Sequence, residues 1–199
     1  MADNRIGTYH LADNPQLYEP ARTNNFEFIV TGIDELLKEG VDASVANAKD
    51  IIKNAQEVLR FSVNEASVPH FTLNTIEVKR GNTTMKFAGT PSFDSGTLKF
   101  NDYMGAGTKD CLIAWRALAY NVKTEKVNLA VNYKKDCYLK EYNPDYSKCL
   151  RTWEMKGCWV KSVSEDNFSS DSDDKRQVSV TIEYDRAIPV YEDEETPQD

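Results

Sequence analysis

Histidine is nearly absent: His10 and His70 are the only two in 199 residues. A Ser-His-Asp or Cys-His relay therefore has little to draw on, and His70, directly after Pro69, reads as part of an extended connector. The four cysteines, Cys111, Cys137, Cys149 and Cys158, form no C-x-x-C pair, so with so little histidine a tetrahedral zinc site has no support. Reduced thiols buried as small hydrophobes are expected instead. No apolar run approaches the ~18–20 residues needed to span a bilayer, so no membrane anchor is expected. The stretch Met1–Pro20 is polar and has no basic start leading into an apolar segment. A secretory signal is not visible in it, and cytoplasmic synthesis is the expectation. Gly105-Ala106-Gly107 is not followed by the Gly-Lys-Ser/Thr of a phosphate loop. The acidic group Glu165, Asp166, Asp171, Asp173 and Asp174 lacks the central glycine and closing glutamate of a calcium loop and reads as a solvated turn. No catalytic residue, cofactor or metal ligand is assigned.

Positive charge is also in short supply. The chain carries a net −8, and Glu192, Asp193, Glu194, Glu195 and Asp199 supply five of those negatives, leaving −3 on the rest. A chain of this sign is poorly made for gripping nucleic acid, where Lys and Arg must displace counterions. Its length fits one domain with a core that needs no staples.

What is present is alternation. Between Thr152 and Ala187 the chain reads T-W-E-M-K-G-C-W-V-K-S-V-S, then a polar loop, then Q-V-S-V-T-I-E-Y-D-R-A. A period of two with Val, Ile, Trp and Tyr predicts half-buried strands that meet near Gly157. Further strands are expected at 26–31, with Phe26, Phe28 and Val30 on one face, at 57–67, at 95–102 and at 127–133. Thr75–Arg80 and Thr83–Ala88, joined by Gly81-Asn82, predict a hairpin. Helical spacing appears twice. Ile33, Leu36 and Leu37 lead into a stripe of Val45, Ala48, Ile51, Ile52 and Ala55. The second stripe is Leu112, Trp115, Leu118, Ala119 and Val122, with Thr108 as the expected N-cap. Residues 1–25 read as an arm, 32–57 as a helical insertion, 134–148 as an irregular tyrosine-rich loop bearing Tyr138, Tyr142 and Tyr146, and 188–199 as an acidic tail. The body, 26–187, is one strand-rich domain. Trp115, Trp153, Trp159, Phe100 and Ile182 are its expected core anchors.

Four segments carry a resemblance: F-E-F-I-V at 26–30; S-V-P-H-F-T-L-N-T-I-E-V-K-R-G-N at 67–82 with M-K-F-A-G at 85–89; T-L-K-F-N-D at 97–102 with the helix of Trp115; and W-E-M-K-G-C-W-V-K-S-V-S at 153–164 with V-S-V-T-I-E-Y-D-R-A at 178–187. In this order they resemble the tail tube proteins of contractile-tailed bacteriophages and the related tubes of contractile injection systems. The insertion at 32–57 and the loop at 134–148 are longer than in compact members. The resemblance implies a mainly β fold, an antiparallel β-sandwich or barrel with one flanking α-helix and a helical insertion between the first strands. It implies homo-hexameric rings stacked into a tube, with sheath and baseplate or tail-completion proteins as partners and genome DNA passing through the lumen without specific binding. The location implied is a virion tail assembled in the host bacterial cytoplasm. A single-ring completion or baseplate protein and the inner tube of an effector-carrying injection system are the alternatives. Ring-stacking contacts are expected from the arm and insertion, at Tyr9, Leu17, Tyr18, Leu36, Leu37, Val45 and Ile51.

Overall fold

The computed structural model describes residues 20–40, 54–103, 105–165 and 174–191. Its spine is β9 (Cys149–Glu165), a 17-residue strand. β8 (Lys135–Tyr142) runs along one edge of its first half. Along the other edge, β10 (Gln177–Glu183) pairs with the second half and β11 (Arg186–Val190) with the first. β1 (Phe26–Val30) adds outside β8, and β5 (Gly96–Asn101) then β2 (Val63–Ala66) add outside β10. The seven-stranded antiparallel sheet has the order β1-β8-β9-β10-β5-β2, with β11 on β9. β1 and β2 stay as its two ends, so the sheet folds over its core without closing into a barrel.

The fold of the sheet is made at Gly157. In β9 both Met155 and Cys158 point into the core, at 2% and 0% exposure, which strict alternation forbids for residues three apart. One extra residue on β9 resolves this: Cys137 pairs with Met155 and Lys135 with Cys158, two steps on one strand against three on the other. That is a β-bulge with a left-handed glycine, Gly157 at φ +68°. The opposing chain breaks at the same level, where Asp185 separates β10 from β11 and its N–H donates to the Lys156 carbonyl at 2.9 Å. The Gly157 N–H donates to Asp136 Oδ1 at 3.2 Å, Lys156 Nζ reaches Asp136 Oδ2 at 3.0 Å, and Lys134 Nζ pairs with Asp185 at 2.7 Å.

Among the described residues, three helices cover the concave side: α1 (Ile33–Gly40), α2 (Ala55–Ser62) and α3 (Thr108–Ala119). α3 presents Cys111, Leu112, Trp115 and Leu118 inward. Trp115 is 1% exposed and its indole N–H donates to the Tyr133 carbonyl at 2.9 Å, so the largest core side chain has no orphaned donor. Phe28 meets Phe100 edge-on at 6.4 Å across the two halves of the sheet.

Several expectations need correction. Residues 57–62 are helix, not strand: Ala55, Leu59 and Ser62 share the buried face at helical spacing, and the alternation of Val58 and Arg60 with Leu59 and Phe61 misled because it is short. Within the expected loop, Lys135–Tyr142 is the interior strand β8. Its buried Cys137 and Leu139 alternate with Asp136, Tyr138 and Lys140, and the charges at its two ends hid the period. Residues 127–133 give only the two-residue β7 (Lys126–Val127), paired with β6 (Tyr120–Asn121), and a 3-10 turn at Ala130–Asn132. α3 ends at Ala119, leaving Val122 76% exposed. Its N-cap is Gly107 at φ +65°, while Thr108 lies inside the helix and shares a buried 2.9 Å hydrogen bond with the Ser62 hydroxyl. The chain does not leave the fold at 188, because β11 runs on to Val190. The stripe at 45–52 and most of the acidic loop and tail lie outside the described residues.

A Cβ added at Gly157 would sit 2.2 Å from Asp185 Oδ2 as well as in a left-handed backbone. Gly157→Ala is expected to lower the unfolding free energy by about 2 kcal/mol or more, read as a lower urea midpoint at unchanged slope. Adding Asp185→Gly should recover the steric part of that loss and leave the conformational part.

Candidate assembly surface

Among the described residues, β3 (Phe71–Arg80) and β4 (Thr83–Phe93) pair only with each other, and they project as a hairpin. Gly81 at φ +59° takes the first corner, and Asn82 needs no positive φ, the pattern of a turn whose twist matches its strands. Every residue of β3 is exposed. In the distal part Ile76 faces Phe87 and Val78 faces Met85, so four apolar side chains share one face. Their exposures are 54%, 49%, 42% and 43%. The other face carries the Glu77–Lys86 pair at 3.5 Å. A ring stack from Phe71 to Phe93 (5.4 Å) to Tyr184 (6.3 Å) fastens the base to the body. An isolated two-stranded ribbon is marginal in water, and this one keeps an uncovered apolar face besides.

A second feature lies where the sheet fails to close. Between the free edges of β1 and β2, which approach within 8 Å, is a groove of about 830 Å³. Phe26, Phe61, Val63, Val68, Leu139 and Leu150 give it apolar walls, with Phe61, Val68 and Leu150 exposed at 68%, 50% and 43%. Beside it the Glu27 carboxylate accepts from Arg60 Nε and from the Tyr142 hydroxyl at 2.9 Å. Burial, and then the bond to Glu27 with its negative charge, pushes the Tyr142 phenol up to about 12. A third apolar area follows α3, where Val122, Val127, Leu129 and Val131 are 72–78% exposed.

Trp115, Phe100 and Ile182 lie in the core at 1%, 1% and 2% exposure. Trp153 and Trp159 are half-buried: the Trp153 indole N–H donates to Glu141 at 3.1 Å, and Trp159 meets Tyr133 edge-on at 5.9 Å. Leu36 and Leu37, expected as stacking contacts, are 7% and 0% exposed. α1 turns its apolar stripe inward, so these two side chains are taken up by the subunit's own core. Tyr9, Leu17, Tyr18, Val45 and Ile51 lie outside the described residues. Of the loop tyrosines, Tyr138 donates to Glu154 at 3.1 Å and only Tyr146 is exposed.

Cys111, Cys137 and Cys158 are buried and Cys149 is half-buried, all four as free thiols. Burial, with Asp110 and Asp34 nearby, pushes Cys111 up to about 12, and burial against Cys158 raises Cys137 well above the ordinary range. The Cys111 and Cys137 thiols stay protonated and inert. Among the described residues no three His, Cys, Asp or Glu side chains gather as metal ligands, and no helix is long and apolar enough to cross a membrane.

Antiparallel sheets with few helices, as here, match a tube-protein fold. The chain belongs to the T4-like virus tail tube protein gp19 family, whose sequence model matches residues 24–187. Among solved structures, it is similar to a chain of an extracellular contractile injection system, the PVC sheath-tube complex in the extended state. That match has 18% identity, covers 94% of this chain and 99% of that one, and has a TM-score of 0.61. It is also similar to a chain of the anti-feeding prophage cap, the AFP tube terminating cap, at 17% identity, with 87% and 93% coverage and a TM-score of 0.59. At these identities the likeness is one of fold. Nothing among curated protein sequences matches.

The Tyr142 phenol is expected to ionise near pH 12 rather than 10. Its folded value lies above its unfolded one, so its contribution to stability is present below pH 10 and is lost between about 10 and 12. Absorbance at 295 nm should show Tyr142→Phe removing one tyrosine from the late-titrating fraction. Removal from the fraction near pH 10 would contradict this.

Proposed function

We propose that this protein is the structural subunit of a phage tail tube. Six copies form a ring, rings stack, and genome DNA passes down the lumen into the host. Sheath proteins contact the tube from outside and baseplate or completion proteins cap its ends, the whole assembling in the host cytoplasm before release in the virion. The observation that carries the reading is the hairpin of β3 and β4, with four apolar side chains on one face at 42–54% exposure and an unpaired outer edge on each strand. Such a ribbon is costly on a free monomer and is stabilised when another chain covers it. Membership of the tail tube family supports the same reading. The net charge of −8 suits a conduit, because a wall that bound phosphates would hold the DNA it must release.

The purified protein is expected to form rings and tubes in electron micrographs. Ile76→Asp with Phe87→Asp should abolish them while changing the unfolding free energy of the subunit by no more than about 0.5 kcal/mol, as for other exposed positions. Tubes from the double variant equal in length and number to those of the unaltered protein would sink the hairpin's part in assembly. Only isolated rings from the unaltered protein would favour a single-ring completion protein.

A further inference from the structure

We infer that Glu65 and Glu183 are charge masks. They hold Lys99 and Lys161 so that one face of the sheet offers passing duplex DNA no cation to grip. This rests on the tube-subunit reading above and assigns to named residues the task of keeping a conduit from binding its cargo.

The face is defined by register. Val178, Val180 and Ile182 of β10 are buried, so Gln177, Ser179, Thr181 and Glu183 lie on the side of the sheet away from the helices. Across the neighbouring strands the same side continues in rows. One row is Ser164, Ser179, Lys99 and Glu65, on β9, β10, β5 and β2. The next is Ser162, Thr181 and Thr97. At one end Gln177 donates to Asn101 at 3.2 Å. At the other, the register shift between Thr181 and Ile182 makes Lys161 the extra residue of β9, within reach of Glu183. The surface is thus built of hydroxyls and amides around two lysines. None of the exposed large apolar side chains belongs to β2, β5, β10 or the second half of β9. A protein partner gains little by covering such a face, which suits it to stay wet. The other half of the sheet differs, with Ile188 and Val190 on the same side at 38% and 41% exposure.

The charges on this half-sheet are arranged more closely than its neutrality requires. Lys99 and Lys161 are the only cations on these strands. Both side chains extend into solvent, at 39% and 56% exposure, so burial does not keep them from a phosphate. Each ends instead on a carboxylate of the adjoining strand: Lys99 on Glu65 at 2.7 Å and Lys161 on Glu183 at 2.6 Å. Lys and Arg grip DNA by replacing its condensed counterions, and a lysine already held by a carboxylate must give up that partner first. The carboxylate also repels the phosphate that approaches. Lys140 and Arg186, on the half of the sheet that bears Ile188 and Val190, have no ion-pair partner among the described residues. Exposed pairs of this kind contribute little to stability, so the two glutamates are replaceable without unfolding the chain.

The test measures binding of a short fluorescein-labelled DNA duplex to the full-length chain by anisotropy at low salt. Glu65→Gln with Glu183→Gln is expected to raise affinity by about tenfold or more, and to steepen the slope of log affinity against log salt by about 2, one step for each ammonium group released. Glu35→Gln with Glu57→Gln removes the same charge from α1 and α2 and should raise affinity by less than about threefold, the effect of net charge alone. Equal gains from the two pairs overturn the masking, and so does no gain from Glu65→Gln with Glu183→Gln. Adding Lys99→Gln and Lys161→Gln to that variant should return the affinity to that of the unaltered chain; a gain that persists without these lysines also overturns it. Electron micrographs of the unaltered chain test the tube reading separately. Absence of tubes would remove that reading, while the affinities alone decide the masking.

Discussion

The structure depends on one corner. At Gly157 the backbone takes a left-handed conformation, and Asp185 fills the space where a side chain would begin. The bulge there flips the inward parity of β9, so that Met155 and Cys158 both reach the core and one strand serves both halves of the sheet. Without the extra residue, either Trp153 and Met155 or Cys158 and Val160 would face the wrong side. The surrounding charges are arranged to hold this turn. Lys156 lies between Glu154 at 2.6 Å and Asp136 at 3.0 Å, and these two carboxylates, Glu154 first, keep its ammonium group protonated well above the ordinary lysine range. The network is exposed, so its contribution is to geometry more than to stability.

From that corner the rest of the surface follows. A sheet folded over helices has two ends, and here they meet without joining. Full closure would have removed the free edges of β1 and β2 and the groove between them. The projecting hairpin adds two more edges. The core is complete within the subunit, as the exposures of Trp115, Phe100 and Ile182 attest, so what is left unsatisfied is peripheral. This division lets a subunit fold first and assemble second, with assembly drawing on surfaces that the fold does not need.

Much of this was legible in the sequence where period and turn chemistry agree. The alternation of Val178, Val180 and Ile182, the Gly81-Asn82 turn between two runs, and the part of the helical stripe from Leu112 through Trp115 to Leu118 stand as read. Gly157 was visible as the meeting point of two runs, though its function as a bulge needed the register. Failures came where two periods fit equally well. Residues 57–62 satisfy both alternation and a helical stripe, and only packing against β1 decides. Charge hid β8, because Lys135, Asp136, Lys140 and Glu141 on a half-exposed strand resemble a loop. The assembly surface was hardest. Leu36 and Leu37 look no different in sequence from residues awaiting a partner, and Ile76 and Phe87 look no different from core. Apolar periodicity shows that a face will be covered, but not whether the cover comes from the same chain.

The distinction between cover from within and cover from without also explains why the hairpin tolerates its exposed face. A flat apolar edge on a free subunit is an aggregation hazard, and this one is moderated by position. Lys79 and Arg80 stand at the tip, where an unguided strand would first pair, and Lys86 and Glu77 occupy the reverse face. Like copies that meet tip to tip therefore repel, which disfavours the symmetric hairpin-to-hairpin pairing that would end growth in dimers.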